Sequence, residues 1–117
     1  MPVNKDILVC LSDIERSISE IFSFLPGKLD FAEFQKDLKT RKAVERNIEI
    51  IGEAMSRILK INPQFQIEDA RKIVDTRHRI IHGYDIVSEE ILWAIIVNDL
   101  PGLQKQIHKH LNTEGSK

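Results

Sequence analysis

Arg77 and His82 stand five residues apart in the stretch RHRIIHGYD (77–85), which also holds His78 and the chain's one tyrosine, Tyr84. A guanidinium is permanently charged, and its planar fork matches phosphate oxygens two at a time. An imidazole titrates at an unperturbed pKa of about 6.5, which suits proton transfer near neutrality. Together the two are a minimal kit for cutting RNA without a metal. A base withdraws the proton of a 2′-hydroxyl, the freed oxygen attacks the adjacent phosphorus, and a cation stabilises the charge that builds on the phosphoryl oxygens. Such cleavage leaves a 2′,3′-cyclic phosphate. DNA, which has no 2′-hydroxyl, resists this route.

The spacing is less helpful than the chemistry. Residues five apart on an ideal helix point about 140° from each other. Four things could reconcile Arg77 with His82: the reach of the arginine, distortion in the last turn before Gly83, a π-bulge that widens one turn, or a symmetric dimer in which each subunit supplies one of the pair. His78 and His82 are four apart and do share a face, a spacing that can chelate zinc, with Asp75 and Asp85 as possible further ligands. No glutamate stands between them as in the HExxH pattern, and no metal site is assigned. A plainer reading also stands. An arginine and a histidine near a helix C-terminus interact well with its carbonyls, and Gly83-Tyr84 could be a cap followed by an anchoring aromatic.

The elements that must carry these residues are helical. Ile7, Cys10, Leu11, Ile14, Ile18, Ile21, Phe22 and Leu25 recur at three and four residues and predict a first helix, ended by Pro26-Gly27. A second, long helix opens at Asp30 and runs through Phe31, Phe34, Leu38, Val44, Ile48, Ile51, Met55, Ile58 and Leu59 to Asn62-Pro63. Its apolar stripe thins at Asp37–Thr40, where a kink is expected. A third begins near Glu68-Asp69 and ends at Gly83, and a fourth begins near Ser88 with Glu89-Glu90 in its first turn. Pro101-Gly102 should kink the fourth. Trp93 is read as core or dimer surface, and His108 and His110 as solvated. Gly52, inside a helix, is read as a site of close helix packing; for Glu49 and Glu53 a solvated or motif-supporting role is open. No strand pattern is present. Short connectors make an antiparallel four-helix bundle the simplest all-α architecture, with residues 1–112 as one domain and 113–117 as a flexible tail.

The 117 residues carry a formal net charge of −1, with 42% apolar and 30% charged residues, ordinary for a soluble globular domain. That balance argues against gripping long nucleic acid by bulk charge. Residues 71–85, with Arg71, Lys72, Arg77 and Arg79 against Asp75 and Asp85, are nevertheless locally basic. The single cysteine, Cys10, sits among apolar residues and excludes an internal disulfide. The longest apolar run, ILWAIIV (91–97), is far too short to cross a bilayer, and no secretory signal is visible, so a cytoplasmic protein is expected. There is no phosphate-cradling glycine loop, no GxGxxG and no serine elbow, and no cofactor is expected.

The run from Arg77 through four residues to His82, then one residue to Tyr84, resembles the R-x4-H-x-Y signature of the HepT-like ribonucleases of the HEPN group. His78 fits the polar position after the arginine. RNIEIIGEA (46–54) and IIHGYDIVSEEILWAIIVNDLPGL (80–103) resemble the family's flanking segments, so the likeness covers nearly the whole chain. The resemblance implies a HEPN-like homodimer whose two motifs face a composite cleft, with Arg77 and His82 serving RNA cleavage and His78 supporting them. It implies a toxin of a toxin–antitoxin pair, and Tyr84 as the acceptor of AMP from a partner nucleotidyltransferase, the MntA antitoxin. The other class of function considered is a catalytically silent helical dimer that binds a nucleotidyltransferase or a nucleotide.

Overall fold

In the computed structural model, residues 4–25, 30–68, 70–82 and 89–115 are described, the side chains of 79–82 and 113–115 excepted. They form helices α1 (Lys5–Ser23), α2 (Phe31–Lys36), α3 (Leu38–Ile61), α4 (Ala70–His82), α5 (Glu89–Ala94) and α6 (Leu100–Gly115), with a π turn, Ile95–Asp99, joining α5 to α6. There is no strand among the described residues. The all-α bundle expected from the periodicity is the architecture found.

Its first helix follows the predicted stripe. Asn4 caps α1, its Oδ1 accepting from the Asp6 N–H at 2.7 Å, and Ile7, Cys10, Leu11, Ile14, Ile18 and Ile21 are buried. The long second helix is not one helix with a kink. It breaks into α2 and α3 at Asp37, whose backbone is extended (φ −95°, ψ 91°). A carboxylate explains the break. Asp37 Oδ1 accepts from the Thr40 N–H at 3.1 Å and Oδ2 accepts from the Thr40 hydroxyl at 2.6 Å, so Asp37 caps a new helix. The break resets the helix rotation, and Leu38, read as part of the apolar stripe, is instead 55% exposed.

The second departure concerns Pro101. Ahead of it the helix opens into the π turn, where the Leu100 N–H reaches back five residues to the Ile95 carbonyl. Proline has no N–H to give, and its ring crowds the carbonyl four residues before it; widening the preceding turn relieves both problems. The π turn also buries Asp99, whose Oδ2 lies 3.1 Å from Nζ of Lys72 on α4, although not in good hydrogen-bond geometry. α6 then runs to Gly115, past the domain boundary read at residue 112.

The core packs α1 against α3 and α6, while α4 packs chiefly against α3. Trp93 is half-buried against it, its ring centroid 5.3 Å from Phe34 and 5.7 Å from Phe31. The two C-terminal histidines are engaged rather than simply solvated. His108 Nε2 is 2.7 Å from Glu15 Oε2. His110 stacks on Phe65 at 4.6 Å, with Nε2 3.1 Å from the Gln66 carbonyl, which fastens the α3–α4 connector to α6.

Candidate active site around Arg77

α4 presents the motif. Its buried positions, Ala70, Ile73 and Thr76, turn toward the bundle, while Arg71, Lys72, Asp75 and His78 are exposed. Arg77 follows Ala70 and Ile73 by seven and four residues, which places it on the α3-facing side. Its side chain is only 25% exposed.

Two consecutive residues of α3 accommodate it. Gly52 clears the way for the stem: a Cβ at that position would lie 2.5 Å from Cβ of Arg77 and 3.0 Å from its Cδ. Glu53 takes the head, its Oε2 accepting a short charge-assisted hydrogen bond from Arg77 Nη2. The other oxygen of Glu53 lies 3.5 Å from Nε of Arg57, one turn along α3. Nε of Arg77 is buried without a hydrogen-bond partner among the described residues. Glu53 therefore grips the guanidinium at one point rather than two.

This arginine opens onto a cavity of about 310 Å³ between α1, α3 and α4, lined by Cys10, Asp13, Arg46, Glu49, Ile50, Glu53, Ala54, Arg57 and Arg77. Three cations face three carboxylates there, so α3 and α1 compensate locally the positive charge that the motif stretch carries in sequence. Burial pushes the Cys10 thiol above its usual range, which leaves it a poor nucleophile at neutral pH. A larger recess of about 1020 Å³ lies between residues 63–68 and α6. It holds none of the motif residues; its polar lining includes Glu68, Lys109 and His110, the last already turned onto Phe65 and the Gln66 carbonyl.

α4 remains regular α-helix through His82, so the widened-turn explanation for an Arg77–His82 approach does not hold; the π turn belongs to the next helix. Position 82 lies one turn beyond exposed His78 and about 140° around the helix from Arg77. The His82 side chain, and Gly83, Tyr84 and Asp85 entirely, lie outside the described residues. The segment 83–88 is bracketed by α4 and by Glu89, which accepts a 3.0 Å hydrogen bond from Arg41 Nη1 of α3. Glu89 thus adds an ion pair to the first-turn role read for it. Among the described residues no group of three or more His, Cys, Asp or Glu is arranged to hold a metal. None of the described helices is long and apolar enough to cross a membrane.

The fold is thus an all-α bundle in which a motif arginine, paired with a carboxylate of α3, borders a small cleft of mixed charge, and comparison with known families gives its class. Residues 14–110 match the family described as ribonuclease HepT-like, and the chain belongs to that family. Among its relatives, "Putative RNase MJ0127" of Methanocaldococcus jannaschii is 36% identical over 90% of this chain and 87% of its own length. "Probable ribonuclease HepT" of Thermococcus cleftensis is 33% identical over 85% of this chain and 90% of its own. "Putative RNase TTE0752" of Caldanaerobacter subterraneus is 32% identical over 74% and 78%. No solved structure gives a significant match.

Proposed function

We propose that the chain is a metal-independent endoribonuclease and the toxin half of a toxin–antitoxin pair. Arg77 stabilises the scissile phosphate, His82 moves the proton, His78 supports them and Tyr84 is the regulatory site. The observation that carries the reading is the seating of Arg77: a cation of the motif, held by Glu53 at one point, at the mouth of a cleft. Membership of a family of ribonucleases, and relatives named as ribonucleases, support the substrate class.

The reaction balances without a co-reactant. The 2′-oxygen loses its proton to the imidazole and bonds to phosphorus; the bond from phosphorus to the 5′-oxygen breaks; that oxygen regains a proton. The products are a 2′,3′-cyclic phosphate and a 5′-hydroxyl. Arg77 matters most where charge builds on the phosphoryl oxygens. Because Arg77 faces α3 and position 82 lies well around α4, the reading places the pair across a homodimer, Arg77 of one protomer meeting His82 of its partner.

Silencing follows from charge and bulk. Transfer of AMP to the Tyr84 oxygen by a nucleotidyltransferase, with release of pyrophosphate from ATP, sets phosphate beside a cationic site and occupies the room RNA needs. The test is incubation of purified protein with single-stranded RNA in EDTA, beside Arg77→Ala, His82→Ala and Tyr84-modified protein. Cleavage that persists in EDTA and disappears in the other three samples is expected. Cleavage abolished by EDTA would sink the metal-independent reading. No cleavage in any sample, with RNA or nucleotide still bound, would point to the silent binding dimer.

A further inference from the structure

We propose that Glu53 is a positioning residue for Arg77, and that Gly52-Glu53 is the half of the active site contributed by α3. The proposal rests on the reading of Arg77 as the phosphate-stabilising cation. The sequence leaves a motif-supporting role open for Glu53 without choosing Glu53 over Glu49 or naming its partner; the packing of α3 on α4 pairs it with Arg77. The two adjacent residues of α3 act on one side chain, Gly52 by clearing the stem and Glu53 by holding Nη2.

An arginine stem has several rotatable bonds, and a free guanidinium at the edge of a cleft would sample many directions. Glu53 removes that freedom before RNA arrives, which is the preorganisation an oxyanion-stabilising group needs. The grip is incomplete in a useful way. Glu53 engages Nη2, leaves Nε without a partner among the described residues and has Arg57 3.5 Å from its other oxygen. A phosphate can therefore join Arg77 without first dismantling a two-point ion pair. The carboxylate also repels phosphate. It weakens ground-state binding while aiming the cation for the more highly charged transition state, so its removal should lower kcat without raising KM, whereas a simple loss of fold would not tighten RNA binding.

The experiment measures kcat and KM for single-stranded RNA with Glu53→Ala and Glu53→Gln, beside Arg77→Ala. It also measures affinity for a 2′-O-methyl RNA, which cannot be cleaved by 2′-hydroxyl attack. Loss of aim should lower kcat about 10- to 100-fold in Glu53→Ala. Glu53→Gln, which keeps an acceptor for Nη2, should fall between that variant and the wild type. KM should be unchanged or lower in both, and the 2′-O-methyl RNA should bind at least as tightly. In an Arg77→Ala background, Glu53→Ala should not alter that affinity further. Values of kcat within twofold of wild type in both Glu53 variants, or a rise in KM, would overturn the proposal. So would loss of helical circular dichroism in both, since Glu53 would then be a structural tie. Arg77→Ala cleaving at the wild-type rate would overturn the reading of Arg77 instead, so the two failures are distinguishable.

Discussion

At the scale of the residue, the site depends on one absence as much as on any side chain. Gly52 costs its helix roughly 1 kcal/mol relative to alanine. What it supplies is the passage that Arg77 fills. In Gly52→Ala the added Cβ cannot coexist with an Arg77 Cβ at 2.5 Å, and because the nearest atom is the root of the side chain rather than its flexible end, α4 itself must move. The expected result is a destabilisation of about 1–3 kcal/mol, the usual range for overpacking, despite the better helix propensity of alanine. RNA cleavage should fall with it. Urea denaturation and a cleavage assay check both, and a stabilised variant of full activity would show that the passage is not needed.

At the scale of the element, the break at Asp37 is set by a carboxylate that caps α3. Its hydrogen bonds with Thr40, side chain first and backbone second, hold the Asp37 carboxyl below its ordinary value of 3.8. A folded-state value below the unfolded one means stability that is present above the unfolded value and is lost as pH falls through the folded one. Asp37→Ala should therefore melt at a lower temperature than the wild type near pH 7. The gap should narrow on acidification below about pH 4, once the wild-type carboxylate is itself protonated. Thermal melts followed by circular dichroism across that range are the measurement, and a gap independent of pH would mean that capping by charge is not the cause. The π turn works at the same scale. It lets one helix contain Pro101 and still bury Asp99 near Lys72 of the motif helix.

At the scale of the whole molecule, the bundle measures 46 × 33 × 19 Å, about two helices thick in its shortest direction. α4 lies against α3 and leaves an exposed row of Arg71, Asp75 and His78 on its far side, the register that position 82 continues. A monomer built this way separates Arg77 from position 82, whereas a two-fold axis beside α4 would bring the pair together from different protomers. Mixing inactive Arg77→Ala with inactive His82→Ala and allowing subunits to exchange should then restore activity. Random exchange makes half the dimers mixed, each with one intact site of two, so about a quarter of the wild-type rate is expected. No recovery, with mixed dimers demonstrated by mass, would place both groups of each site in one subunit.

Much of this was legible in the sequence because it is local. The 3.6-residue periodicity of Ile7 to Ile21 or of Val44 to Ile58 is a property of neighbouring residues, and so is the clustering of Arg77, His78, His82 and Tyr84 that carries the family likeness. Burial energy is proportional to apolar area, so a helix with one apolar stripe has little choice of which side to hide. The same reasoning missed the break at Asp37, where a short-range cap outweighed continuity of the stripe, and the exposure of Leu38 that follows. It left a motif-supporting role open for Glu53 but could not pair it with Arg77, from which it is separated by the end of α3, a connector and the first half of α4. Only the packing of α3 on α4 puts a carboxylate at the end of that arginine, because an ion pair is set by distance in space and the chain records only distance along itself.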